Sequence, residues 1–63
     1  MNNIDLNDIT NISRTKEKIE TLLDSVIQDL MHGNTIAAAM NIRAARNEVI
    51  HMERRIHETR IEI

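Results

Sequence analysis

The second half of the chain carries an unbroken heptad repeat of small and aliphatic residues. From Ala38 onward these residues recur at alternating spacings of four and three, with heptad position a at Ile42 and position d at Ala45. Such a repeat keeps one stripe on the side of an α-helix that faces another helix. The pattern predicts a long helix over residues 35–60 that pairs with a second helix. Its stripe consists of Ala38, Ile42, Ala45, Val49, Met52, Ile56, Thr59 and Ile63.

A second amphipathic pattern precedes this one. Aliphatic residues between Ile12 and Leu30 recur at spacings of three and four, which predicts a helix over residues 13–32. Its apolar stripe is wider than a single coiled-coil seam. The Asn- and Asp-rich residues 1–12 are expected to form a mobile arm or frayed extra turns before this helix.

The only glycine of the chain stands between the two predicted helices. Gly33 can adopt the left-handed conformation of a helix C′ residue at no steric cost, and Asn34 or Thr35 can cap the second helix. So short a connection makes the two helices antiparallel neighbours. The sequence therefore predicts an all-α fold, in which residues 1–63 form a single two-helix antiparallel hairpin.

The apolar stripes of the two helices indicate how they pair. If Ala45 packs beside Leu22 and Val49 beside Ile19, Lys16 comes close to Glu53 and Lys18 comes close to Glu48. The predicted helix-pairing seam consists of Ile19, Leu22, Val26, Ile42, Ala45, Val49, Met52 and Ile56.

Charges beside the second heptad favour antiparallel pairing over parallel pairing. A parallel pair of second helices sets Glu48 against Glu53 and also sets Arg55 against Arg60. An antiparallel pair instead brings Arg46 to Glu53. It also brings Glu48 to Arg55. Such pairs set orientation and register more than stability. The pattern does not distinguish pairing within one chain from pairing between two chains.

The chain is too small to bury a full core alone. It has 63 residues without Cys, Phe, Tyr, Trp or Pro, and domains of this size usually need disulfides, metals or oligomerisation. We therefore expect the hairpin to be completed as a four-helix bundle by self-association, as a homodimer, or by a protein partner. The residues expected to bind that partner are Leu23, Ile27, Leu30, Met40 and Ile50.

Most chemistry is excluded by the residues present. Glu48 and His51 have the spacing of a helical metal-binding pair, but His51 points away from the predicted seam and the first helix offers no inward Glu. Ser13 and Ser25 have no His nearby in a plausible triad. We expect no catalytic residue, no metal and no cofactor, so the chain is predicted not to be an enzyme.

The formal charge of −2 does not favour nucleic acid or anionic membranes as ligands. No apolar run approaches the roughly 18 residues of a membrane span, and the N-terminus lacks the features of a signal peptide. A cytoplasmic location is therefore expected. Arginines do give the second helix a basic character, as in RNA-binding helical hairpins of the Rop type. Acidic residues interrupt that cluster, and no aromatic residue could stack on bases.

The chain resembles one family, the YscE-like co-chaperones of the type III secretion needle subunit. The resemblance covers residues 12–61 and lies in the size, the two-helix hairpin and the turn Leu30-Met31-His32-Gly33-Asn34, which is similar to the hydrophobic–Met–basic–Gly turn of that family. Members tend to carry aromatic residues late in the second helix, and this chain has none. The resemblance implies a cytosolic protein that binds a larger helical-repeat chaperone and helps to keep the needle subunit from polymerising early.

These observations lead to two expectations about function. The first is a small non-enzymatic protein-interaction module, most concretely a co-chaperone of the needle-chaperone type. The alternative is a homodimeric four-helix-bundle regulator with an RNA-binding role of the Rop type.

Overall fold

A computed structural model of the chain describes the backbone of residues 6–60 and the side chains of residues 6–58. It contains two α-helices, α1 (Leu6–Met31) and α2 (Thr35–Arg60), which pack against each other along their length as an antiparallel hairpin. The predicted fold class is confirmed. The second helix starts at Thr35, as the heptad predicts.

The first helix is longer than predicted, because it begins at Leu6 instead of residue 13. Residues 6–12 therefore belong to α1, while the predicted arm over residues 1–5 lies outside the described residues. No Pro or Gly interrupts this segment, and Asp8 in the first turn complements the positive end of the helix dipole. Asp8 also lies 3.7 Å from the Arg55 guanidinium on α2. The extra turns are thus paired with the far end of the second helix.

The turn between the helices is a Schellman motif centred on Gly33. The Asn34 N–H donates to the Asp29 carbonyl at 2.8 Å, and the Gly33 N–H donates to the Leu30 carbonyl at 3.0 Å. Gly33 has a φ of 73°, the left-handed conformation predicted for it. Asn34 then caps α2, since its Oδ1 accepts from the Ala37 N–H at 3.1 Å. One short segment therefore ends α1, reverses the chain and starts α2.

The contact between the helices is narrow and lined by small residues. Only Val26, Ala38 and Ala45 are buried apolar residues among those described, and two of these three are alanines. Alanine lets two helix backbones approach closely but covers little apolar area. A polar pair also lies in this contact, where Asn41 Nδ2 donates to Asp29 Oδ2 at 2.7 Å. The rest of the contact is half-buried: Ile12, Thr15, Ile19, Leu22 and Ser25 on α1, and Ala44, Glu48 and Met52 on α2.

The predicted seam is only partly the seam of this hairpin. Its α1 residues and the d positions Ala45 and Met52 face the other helix. The a positions do not, because α2 turns Asn41, Ala45 and Glu48 towards α1. Rotation towards the alanines shortens the distance between the helices and moves the larger branched residues outward. The a positions, which remain 41–51% exposed, are Ile42, Val49 and Ile56.

The resulting molecule is an elongated slab with overall extents of 49 × 17 × 10 Å. Its radius of gyration is 14.8 Å, whereas a compact domain of this length has a value of roughly 11 Å. The chain exposes 5217 Å², about 1,000 Å² more than the roughly 4,200 Å² expected of a compact monomer of 7.3 kDa. A single hairpin thus leaves much of its apolar surface in water.

Candidate protein-interaction surface

Six large aliphatic side chains that the hairpin leaves exposed lie on one broad side of the molecule. Each of them, except Ile56, directly follows a residue that lies between the helices, as Leu23 follows Leu22 and Ile42 follows Asn41. One residue further along an α-helix turns the side chain by about 100° in a constant sense. Because the helices are antiparallel, that rotation leads to the same side of the hairpin on both. We call this side the open face; it consists of Leu23, Ile27, Leu30, Ile42, Val49 and Ile56.

The opposite broad side of the hairpin is polar. Residues that precede the contact residues of α1 point that way, among them Arg14, Lys18 and Thr21. Lys18 Nζ lies 3.4 Å from Glu48 Oε2 across the two helices on this side. The prediction that Lys18 meets Glu48 within the hairpin is confirmed, whereas no ion pair joins Lys16 to Glu53 among the described residues. The open side therefore carries more large aliphatic residues than the opposite side, although it also carries Lys16, Glu20, Arg46 and Glu53.

The open face is apolar enough to bind another protein surface. Its six side chains are between 41% and 57% exposed. Fully burying an exposed large aliphatic side chain contributes about 1.5–3 kcal/mol, so covering the remaining half of one contributes roughly 1 kcal/mol. At the far end of α2 a shallow groove of about 340 Å³ runs along the open face, lined by Val49, Met52, Glu53, Ile56 and His57. Contiguous apolar surface of this kind marks interaction sites on soluble proteins.

The structure brings only part of the predicted partner-binding set together. Leu23, Ile27 and Leu30 share the open face. Met40 and Ile50 are exposed as expected, at 66% and 39%, but they lie on other sides of α2. That any of the five binds a partner stays a prediction.

The sequence does not assign half of the open face to partner binding. The heptad assigned Ile42, Val49 and Ile56 to a seam, without distinguishing a seam within one chain from one between chains. Ile9 extends the apolar side of α1 at the far end and is 49% exposed. The sequence-based prediction places Ile9 in the N-terminal arm. Ile9 lies fourteen residues, or two heptads, before Leu23, and this spacing indicates that both lie on the same side of one helix.

Charged residues border the open face at mid-length. Arg46 and Glu53 flank Val49 on the outer edge of α2, and Lys16 and Glu20 interrupt the aliphatic residues of α1. Since Lys18 pairs with Glu48, these two borders lie at the same level of the slab. On each helix, therefore, a cationic residue lies on one side of the Lys18–Glu48 level and an anionic residue lies on the other side.

The described residues show no arrangement suited to metal binding. Across the part of the chain that the structure describes, no three or more His, Cys, Asp or Glu side chains are grouped so that they could hold a metal ion. Glu48 of the E-x-x-H pair is engaged with Lys18, and His51 is exposed. Neither helix, over residues 6–60, has a segment long and apolar enough to cross a membrane.

Comparison of the chain with protein-family models, characterised proteins and solved structures gave no match. The resemblance to the needle co-chaperones therefore stays a prediction.

Proposed function

We propose that this chain is a non-enzymatic protein-interaction module whose open face binds α-helices of a polypeptide chain. The observation that carries the proposal is the open face itself, six half-exposed aliphatic residues on one side of a hairpin with a polar opposite side. Three of them come from each helix, so a partner has to cover both helices at once. A partner helix laid along the shallow valley between α1 and α2 meets this requirement.

The energetics of the hairpin support this proposal. Covering the exposed half of six aliphatic side chains, at roughly 1 kcal/mol each, would contribute much of the affinity of such a complex. Binding would also stabilise the hairpin by mass action, because a partner binds the folded state and not the unfolded chain. The low internal burial is therefore consistent with a protein that works in complexes.

The most concrete form of the proposal is a co-chaperone of the type III needle class. The hairpin size and the turn Leu30-Met31-His32-Gly33-Asn34 support it, and it includes a cytosolic location. In this form the open face binds a larger helical-repeat chaperone.

The proposal predicts that Leu23→Ser together with Ile27→Ser abolishes capture of a partner protein. The experiment purifies a tagged chain from its native cells, identifies the retained protein, and measures its binding to the purified chain directly. Both replaced residues are about half exposed, so the double variant should keep most of its helicity by circular dichroism.

The matched control is Met31→Ser with Ile36→Ser. These are equally apolar, exposed residues that lie off the open face, and their replacement should leave capture unchanged. If both double variants capture the partner as well as the wild type does, the open face is not the binding surface.

A second candidate function, RNA binding, has one observation in its favour. Arg43, Arg54 and His57 lie on the outer side of α2, away from α1, and all three are exposed. Reversing Arg43 and Arg54 to Glu separates the two candidates. This change should leave protein capture intact, whereas loss of biological activity with intact capture would favour nucleic acid as the ligand.

A further inference from the structure

We propose that a second copy of the chain occupies the open face in the free protein, with the α2 helices of the two copies antiparallel and a two-fold axis beside Val49. This inference rests on the proposed function, since it assumes that the open face is a binding surface. The inference specifies which molecule covers the open face and how the two α2 helices are aligned.

The first support is the symmetry of the open face on α2. Ile42 and Ile56 lie seven residues before and after Val49. An antiparallel two-fold centred on Val49 places Ile42 against Ile56 of the second copy, and Val49 against itself. Such an interface is isologous, and each aliphatic residue of α2 on the open face meets an aliphatic residue of the second α2.

The second support is charge complementarity around the same centre. Arg46 and Glu53 straddle Val49 on the outer edge, so the two-fold brings Arg46 of each copy to Glu53 of the other. On α1, Lys16 and Glu20 straddle Lys18, which pairs with Glu48 next to Val49. The same axis therefore brings Lys16 to Glu20 of the second copy. Four pairs of opposite charge form around one axis.

The competing two-fold arrangement, with its axis parallel to the helices, is less favourable. It lays α1 of one copy over α2 of the other. Lys16 then lies over Val49 of the second copy, because the Lys18–Glu48 pair puts these residues at nearly the same level. An ammonium group against a buried aliphatic side chain loses solvation without gaining a partner.

The broad side of the molecule that carries the open face is large enough for a stable dimer interface. The broad side of the slab measures 49 by 17 Å, on the order of the roughly 800 Å² per partner that a standard interface buries. The excess exposed area of the single hairpin is of the same size. Two hairpins stacked through their open faces form a four-helix bundle with both polar sides outward.

The test is a reciprocal charge swap, measured by sedimentation equilibrium at low ionic strength. The wild-type chain should sediment at twice 7.3 kDa. Arg46→Glu and Glu53→Arg each turn two attractive contacts into repulsive ones, so each variant alone should dimerise about tenfold more weakly. Mixing the two variants should restore wild-type affinity, because the mixed dimer contains two complementary pairs.

Arg43→Glu is the matched control. It makes the same charge change on the same helix but away from the open face, and should not alter the dimer. A wild-type monomer, or a failure of mixing to restore affinity, would overturn the inference. If Glu20→Lys, and not Glu53→Arg, restores the dimer affinity of the Arg46→Glu variant, the competing arrangement is correct and the proposed register is wrong.

The outcome also separates this inference from the proposed function. A monomeric chain whose partner capture is lost in the Leu23→Ser, Ile27→Ser variant refutes the second copy and leaves the interaction module standing. If that variant affects neither self-association nor capture, the proposed function itself fails.

Discussion

The two ends of the hairpin are held together by different kinds of interaction. At the turn, hydrogen bonds of 2.7–3.2 Å close the chain reversal, cap α2 and join Asn41 to Asp29. From mid-length to the far end, ion pairs join Lys18 to Glu48 and Asp8 to Arg55, at 3.4 and 3.7 Å. Exposed ion pairs are weak, whereas a satisfied turn and cap are worth more.

Apolar burial shows the same difference. Val26, Ala38 and Ala45 lie in the turn-proximal half or at the middle, while the far half contains Ile12, Ile19 and Met52, which are only half-buried. The contacts between the helices therefore stabilise the turn end more than the far half.

The largest effect is expected from Val26→Asp, which places a carboxylate in the buried part of the contact. The other buried residues of this contact, Ala38 and Ala45, carry no charge that could pair with the carboxylate. The new charge is therefore desolvated without a partner, which should lower the free energy of unfolding by about 3 kcal/mol or more. That is a large part of a marginal stability, and urea denaturation followed by circular dichroism should show an unfolded or nearly unfolded chain.

The control for Val26→Asp is Ile50→Asp, which puts the same charge on the outer side of α2. Its effect on the unfolding midpoint should be small. Equal midpoints for the two variants would contradict the assignment of Val26 to the core.

An intermediate effect is expected from Gly33→Ala at the turn. A Cβ at this position has open space around it, so the cost is conformational, about 1–2 kcal/mol for an alanine at positive φ. Gly33→Asn should cost less, because Asn tolerates this conformation better. A Gly33→Ala chain as stable as the wild type in urea would show that the Schellman turn is not needed to hold the helices together.

The smallest effect is expected at mid-length, where the far half begins, from Lys18→Met combined with Glu48→Gln. The Lys18 side chain is 65% exposed, so losing this pair should cost at most about 0.5 kcal/mol. The difference from wild type should vanish in about 1 M salt, where charges are screened beyond roughly 3 Å. A loss above about 1 kcal/mol that persists in salt would mean that the far half is held more firmly than the geometry indicates.

Local signals were sufficient to predict much of the fold. Gly33 between two periodic segments, with Asn34 as a cap, predicts the turn that the structure contains. The start of α1 at Leu6 was harder to predict, because Asp8, Asn11 and Ser13 are equally good caps by residue type. The additional turns of α1 pack beside the far end of α2, where Asp8 pairs with Arg55. A contact between residues so far apart in the chain is not visible in the local sequence.

The amino-acid sequence by itself determined that the chain forms two helices, that they run antiparallel, and that their apolar residues exceed what one contact can cover. These properties follow from helical periodicity, from a short glycine turn and from the number of aliphatic residues. Only the tertiary structure decided which apolar residues face inward. Close packing through Ala38 and Ala45 rotates α2 so that Ile42, Val49 and Ile56 join Leu23, Ile27 and Leu30 on one open side. That choice depends on the distance between two helix backbones, which a heptad repeat does not specify.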